Sequence, residues 1–297
     1  MTHRKAVALM LLVTLLWSTA GVVTRHLEAA RSFEITFWRS AFNALALSIA
    51  LTALRGPALW RGIARAPREV WISGLCWSVM YTAFMIAITL TSVANVLVTM
   101  SIAPLLTALL ARIALGHQLA ARTWVAIAVA GIGIAWMFAR EAQVSSAQQL
   151  LGIAVALAVP IAGAVNWTLL QHLHHGEGED SQDMTSAVLI GALISALAML
   201  PLSLPFQASA HDLSLLALLG VFQLAVPCLI VVRLTRVLPG PEIALLGLLE
   251  VVLGVLWAWI GAGEQPSGAT LAGGALVLGA LVANQALALR SSGVTVA

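Results

Sequence analysis

Two charged residues stand where charge is most expensive. Glu250 lies near the middle of the apolar run 241–261, and Arg39 lies five residues into the apolar run 34–54. An ionised side chain at such depth costs roughly 3 kcal/mol or more unless it is paired, protonated or wetted. Glu250 could hold a proton or a substrate amine, or it could be a carboxyl bonded to a neighbouring helix. Arg39 could pair with Glu250, offer its guanidinium to a substrate carboxylate, or snorkel toward headgroups at the end of its run.

Aromatic residues form a second constellation. Trp77, Tyr81 and Phe84 are spaced i, i+4, i+7, which puts them on one helical face, and Tyr81 is the single tyrosine of the chain. With Trp17, Trp38 and Trp167 from other runs they could wall a flat amphipathic cavity. The competing reading is packing or lipid-facing aromatics, and Trp60 and Trp124 fit an interfacial belt better. Uncharged polar residues inside the runs are Asn43, Ser78, Thr82, Asn95, Thr99, Ser101, Asn166, Gln223 and Asn284. Most should only bond between helices. Ser78, Thr82, Asn95 and Asn166 are the preferred substrate contacts, because they share a run with a candidate aromatic or open a kinked helix.

Other constellations carry less. The segment His172-Leu173-His174-His175-Gly176-Glu177-Gly178-Glu179-Asp180 has metal-donor types without a ligand spacing, so it reads as a solvated loop, and no metal is expected. Cys76 and Cys228 read as small buried residues. Asn166-Trp167-Thr168 has the form of a glycosylation sequon but falls in an apolar run. A nucleotide-binding loop, a cofactor fingerprint, a His-Glu-x-x-His zinc motif and a paired nucleophile and base are all missing from the sequence. The expectation is a non-enzyme without a cofactor.

The elements that must position these residues are written in the hydropathy. Hydrophobic residues are 61% of the 297 positions and charged residues 9%, against about 25% charged in soluble domains. Ten apolar runs recur, near 6–24, 34–54, 71–90, 94–114, 123–138, 150–171, 184–203, 213–235, 241–261 and 269–289. They are continuous and not alternating, so they predict membrane-spanning helices, the backbone satisfying itself where no water is present. The first run follows His3-Arg4-Lys5 and is longer than a signal-peptide core, so it is expected to be retained as a span.

Pro104, Pro160 and Pro227 fall inside the fourth, sixth and eighth runs and are expected to act as hinges. With the N-terminus inside, the inner segments collect eleven Lys and Arg and the outer loops three, which places both termini in the cytoplasm. The basic pI of about 9.5 follows from that bias and gives no argument for nucleic-acid binding.

A repeat is also visible. An offset of 147 residues lays Leu109 on Leu256, Gly116 on Gly263, Gln118 on Gln265 and Thr123 on Thr270. If the unit is five helices, an odd number, the second copy crosses in the opposite sense. The expected fold is therefore an all-α integral membrane protein of ten transmembrane helices in two inverted repeats, residues 1–145 and 146–297. Their seam is expected to hold a site at mid-bilayer.

The motifs resemble those of the drug/metabolite transporter superfamily, in its ten-span EamA type, over the whole chain. They are Leu16-Trp17-Ser18-Thr19 in the first run, Phe37-Trp38-Arg39 in the second, Ile102-Ala103-Pro104-Leu105 followed by Gly116-His117, and Leu249-Glu250 followed by Gly263-Glu264. Within that family the chain looks most like the YddG-type exporters of aromatic and other neutral amino acids. Glu250-Val251 departs from the Glu-Pro of many relatives, so a proline kink is not expected there.

The resemblance implies a secondary transporter of the inner membrane that exports amino acids or related metabolites by alternating access. Glu250 makes proton coupling possible. Efflux of another small metabolite or of a cationic drug is the alternative, ahead of an intramembrane enzyme or a structural subunit. The expected substrate contacts are Trp17, Arg39, Ser78, Tyr81, Thr82, Asn95, Asn166, Trp167 and Glu250, and the expected partners are that small molecule and the lipid bilayer.

Overall fold

The computed structural model describes residues 2–116, 120–144, 146–174, 184–234, 237–238 and 240–292. Among them the chain is all helical. The apolar rods, numbered in chain order, are α1 (His3–Thr24), α2 (Ser32–Arg55), α3 (Arg68–Leu90), α4 (Val93–Ala114) and α5 (Ala121–Val144). They continue as α6 (Ala147–Leu169), α7 (Thr185–Ser203), α8 (Ala210–Leu234), α9 (Gly240–Ala262) and α10 (Gly268–Ser292). Seven of these are long and apolar enough to cross a membrane; α5, α9 and α10 carry shorter apolar stretches, Ala121–Met137, Leu249–Ala262 and Gly268–Asn284. A short helix, Ala58–Ala64, joins α2 to α3.

The main helix interfaces keep their pattern when each helix is exchanged for the one five places on. The contact of α3 with α7 maps onto that of α8 with α2, α3 with α6 onto α8 with α1, and α4 with α6 onto α9 with α1. The pairs α2 with α7, α4 with α9 and α5 with α10 map onto themselves. Local geometry repeats too. Gly116 ends α4 at φ +71° and Gly263 ends α9 at φ +66°, a left-handed conformation that glycine adopts without Cβ strain. The glycine matched by sequence offset is thus the same helix stop in both halves.

Three interruptions in the helices fall beside a proline. The rod α4 breaks at Ser101 and Ile102, and Pro104 is the second residue of the segment that follows. The rod α6 breaks at Leu157, three residues before Pro160. In α8 a π-helical turn, Leu219–Ala225, precedes Pro227. Each proline sits in the first turn of a new segment, where its missing N–H costs no helical bond. No such break occurs in α9, where valine follows Glu250. The connection between halves is shorter than the gap between the apolar runs 123–138 and 150–171: α5 runs to Val144, and Ser146 caps α6 in a reciprocal box with Gln149.

The end of the bundle opposite the N-terminus, here the distal end, is strapped by carboxylates. Asp212 accepts the backbone N–H groups of Glu28, Ala29 and Ala30 at 2.8–2.9 Å. Glu34 accepts those of Gln207 and Ala208 at 2.8–3.0 Å. Arg25 donates to Glu264 at 2.6 Å and to the carbonyls of Ile88 and Thr91, tying α1, α3 and α9 together. At the N-terminal end the described ties are fewer, chiefly Arg55 of α2 to Thr185 and Ser186 of α7.

Candidate functional site

The middle of the bundle is organised around Arg39. Its side chain is 2% exposed, so it does not snorkel. Nε and Nη2 both donate to Gln223 Oε1, at 3.2 and 2.7 Å, and the guanidinium lies 5.5 Å from the centroid of the Phe84 ring. Gln223 in turn donates through Nε2 to the Trp17 carbonyl at 3.2 Å. One amide therefore links α2, α8 and α1.

Gln223 reaches this position because it lies on the π turn, a local widening and underwinding of the helix that re-aims a side chain and often marks a functional site. Gly220, on the same turn, lets α8 approach α2: a Cβ there would meet the Arg39 carbonyl at 2.7 Å and the Asn43 amide N at 2.9 Å.

The cation is incompletely satisfied. Arg39 Nη1 and both polar atoms of the Asn43 amide are buried without a hydrogen-bond partner. A buried polar atom left without a partner costs about 1–3 kcal/mol, and more when charged. Such atoms in a native fold require an explanation. Glu250 of α9 lies within electrostatic reach of Arg39 but forms no ion pair with it. Its side chain is half-buried. The direct pairing weighed from the sequence does not occur.

Aromatic side chains adjoin this polar centre. The rings of Trp77 and Tyr81 are 5.5 Å apart, and Trp77 meets Trp167 edge-on at 6.1 Å. Trp17 and Met80 pack on the same cluster. Trp17, Tyr81 and Trp167, chosen from three different runs, are thus brought to one place. The Tyr81 hydroxyl touches Cys228 Sγ at 3.7 Å, joining α3 to α8. Phe84 shares the helix face but serves Arg39 instead. Trp38 belongs elsewhere: it stacks with Phe42 and Phe206 near the distal end and points its Nε1 toward Glu34 at 3.4 Å.

The remaining candidates separate. Thr82 bonds Ser195, which bonds Ser40, both at 2.8 Å, a relay across α3, α7 and α2. Ser78 is buried where Gly191 of α7 closes on α3, without a described side-chain bond. Ser92 caps the distal start of α4 by accepting from the Asn95 backbone N–H, and the Asn95 side chain accepts from Thr270 at 2.5 Å, so it straps α4 to α10. Asn166 accepts from Ser73 at 2.6 Å, and its Nδ2 is unpartnered. No hydrogen bond connects either asparagine to Arg39.

The segment from His175 to Glu179 and Asp180, with Gln118, lies outside the described residues; among the described ones no cluster of metal donors occurs. Sequence reading placed Gln223 in a list of ordinary intramembrane amides. Its signal was position, an amide alone in a run of Leu, Val and Phe four residues before Pro227.

Long apolar rods whose interfaces repeat in two halves mark a multi-pass membrane protein. Residues 4–139 and 150–284 each match the EamA-like transporter family, and the chain belongs to that family, a family of membrane transporters of small substrates. No curated protein matches it. A solved crystal structure of a protein is similar over 97% of this chain and 99% of its own, with 21% sequence identity and a TM-score of 0.66. At that identity the likeness shows a shared fold alone.

Proposed function

We propose that this transporter exports zwitterionic amino acids, aromatic and other neutral ones, by alternating access between two inverted five-helix repeats, residues 1–145 and 146–297. All ten helices cross the bacterial inner membrane, with both termini in the cytoplasm. The observation that carries the reading is the open hydrogen-bonding capacity at Arg39 Nη1 and the Asn43 amide, set beside a wall of Trp17, Trp77, Tyr81 and Trp167.

A substrate carboxylate completes the guanidinium's donor set, and such charge-assisted bonds are worth roughly twice a neutral one. Glu250, partly exposed and unpaired, takes the ammonium. The flat aromatic surface takes the side chain, which explains a preference for apolar and aromatic substrates. A purely cationic drug would satisfy Glu250 and leave Arg39 repelling it, so the Arg39 guanidinium favours the zwitterion.

Rocking of the halves needs hinges and a gate. The segment starts at Pro104, Pro160 and Pro227 supply places where helices already change direction. The distal straps must break for release on that side, because they join α1, α2, α3, α8 and α9 through charged groups. Proton coupling through Glu250 belongs to the same proposal.

Purified protein in liposomes loaded with labelled phenylalanine, threonine or methionine tests it. Efflux of all three is expected, with phenylalanine fastest. Tyr81→Ala and Trp167→Ala should slow phenylalanine efflux; rates equal to the parent would remove the aromatic wall from the mechanism. A pH gradient that drives the parent and not Glu250→Gln would establish proton participation.

A further inference from the structure

A second site lies far from the transport centre, at the N-terminal end of the bundle. There the short helix Ala58–Ala64, which packs Leu59 and Ile63 into the core, borders a cavity of about 410 Å³. Its apolar wall includes Leu59, Ala66 and Val70, and its polar groups come from Arg55, Arg65 and Ser186. Arg233, from the end of α8, lies close enough to Arg55 for the two guanidinium groups to repel. Arg65 and Arg233 are exposed. Among the described residues no carboxylate lines the cavity. The nearest acid along the chain, Glu69, is engaged by Arg68 at 3.0 Å. Trp60, 43% exposed on the same short helix, is the amphipathic type found at a headgroup boundary.

Two arginines, Arg55 and Arg65, line this apolar-walled cavity at a membrane boundary, and its specific complement is an anion attached to hydrocarbon. We infer that this cavity binds the phosphodiester of an anionic phospholipid, phosphatidylglycerol-like in charge. Arg55 and Arg65 flank the phosphate, the Ser186 hydroxyl donates to it, and an acyl chain runs along Leu59 and Val70. Arg55 also holds Thr185 of α7, so the lipid touches the described tie between α2 and α7 at this end. The inference rests on the helices crossing a bilayer and not on the identity of the exported substrate.

Binding of short-chain phosphatidylglycerol to the full-length protein in detergent, read by native mass spectrometry, tests it, with phosphatidylcholine and inorganic phosphate as parallel arms. The parent should bind phosphatidylglycerol and prefer it to phosphatidylcholine. Removing two surface cations in R55Q/R65Q should weaken binding about thirtyfold, each being worth about 1 kcal/mol toward an anionic lipid surface. R61Q, on the same short helix but not lining the cavity, should bind as the parent does.

Gly62 faces open space, so G62L fills the cavity while keeping every charge, and it should also lose binding. Full binding by G62L, or an equal loss in R61Q, would overturn the site in favour of diffuse interfacial charge. Phosphate that binds alone and displaces the lipid at equal affinity would overturn the lipid assignment in favour of a soluble phosphate. Unchanged transport of amino acids in R65Q would leave the proposed function standing whatever the lipid result.

Discussion

The two halves share a scaffold and differ in chemistry. Gly74 of α3 is seated on Ile190 and the Ala187 carbonyl of α7, as Gly220 of α8 is seated on Phe42 and the Arg39 carbonyl of α2. In this correspondence Arg39 falls on Ala187 and Asn43 on Gly191, both offset by 148 residues. The glycine that stops α4 falls on the one that stops α9, offset by 147, and Glu250 then falls on Ala103. Each half supplies one charge to the seam, and each charge has alanine as its counterpart. A symmetric pair of rods has become an asymmetric site.

The origin of that asymmetry can be traced to one residue of chain length. Gly74 and Gly220 are 146 apart, while Tyr81 and Cys228, which touch each other across the seam, are 147 apart. Between the paired positions α8 holds one residue more than α3. The π turn Leu219–Ala225 lies in that interval and absorbs it. The extra residue rotates Gln223 toward Arg39, so the insertion and the buried cation explain each other.

Moving the charge to its counterpart breaks the comparison most severely. Ala187 is fully buried, and no π turn or glutamine faces it. Ala187→Arg should cost about 3 kcal/mol or more in unfolding free energy, the price of an intramembrane cation without a prepared partner. Thermal unfolding in detergent checks this. Unchanged stability would mean that the Gln223 contact is not what makes Arg39 tolerable.

Removing the charge from its own half acts on function more than on fold. Arg39→Ala frees Gln223 Oε1 from its donor and takes away the proposed carboxylate partner. Since a hydrogen bond to a charged group contributes about 1.5–3 kcal/mol, efflux of phenylalanine should fall roughly ten- to a hundredfold at subsaturating substrate. Deletion of Phe222, which is 59% exposed on the π turn, should reproduce the transport loss by rotating Gln223 away while Arg39 stays in place. Normal efflux in the deletion would uncouple the insertion from the site.

How far all this could be read from the sequence depends on the range of the interaction. The helices were legible because lipid requires long uninterrupted apolar runs, and the repeat because Gly116 and Gly263 answer the same demand for a left-handed stop. Trp17, Tyr81 and Trp167 were legible as aromatic members of three apolar runs, and they pack on one hydrophobic cluster. The partners of Arg39 were not. A π turn depends on one residue in excess relative to a helix in the other half, and no local pattern around Gln223 announces it. The partner of Asn95 was hidden for a related reason. The asparagine's position at the head of α4 suggested a kinked binding helix, but the decisive partner, Thr270, lies 175 residues away.

The matched glycines offer a smaller and more discriminating test. At Gly220 an added methyl meets backbone atoms, the Arg39 carbonyl and the Asn43 amide, neither of which can turn aside. At Gly74 its nearest contact is an Ile190 side chain, while the Ala187 carbonyl stands at 3.4 Å. Overpacking costs about 1–3 kcal/mol when the surroundings cannot yield. Gly220→Ala should therefore fall in that range and Gly74→Ala below it, by the same thermal measurement. Equal losses would mean that the two seats are equally rigid and that the α2–α8 contact has no special tightness.

The weakest effect is expected at the relay Ser40, Ser195 and Thr82, although it lies on the self-matching contact of α2 with α7. Ser195→Ala removes two hydrogen bonds of 2.8 Å. The hydroxyls left behind are not stranded, because serine and threonine in a helix can turn back to a carbonyl one turn earlier. Interhelical bonds in membrane bundles average about 0.6 kcal/mol for the same reason. The variant should lose no more than about 1 kcal/mol of stability and keep its efflux rate. A loss comparable to that of Gly220→Ala would show instead that the relay clamps the two halves, and the seam would then be held by hydroxyls as much as by close helix contact.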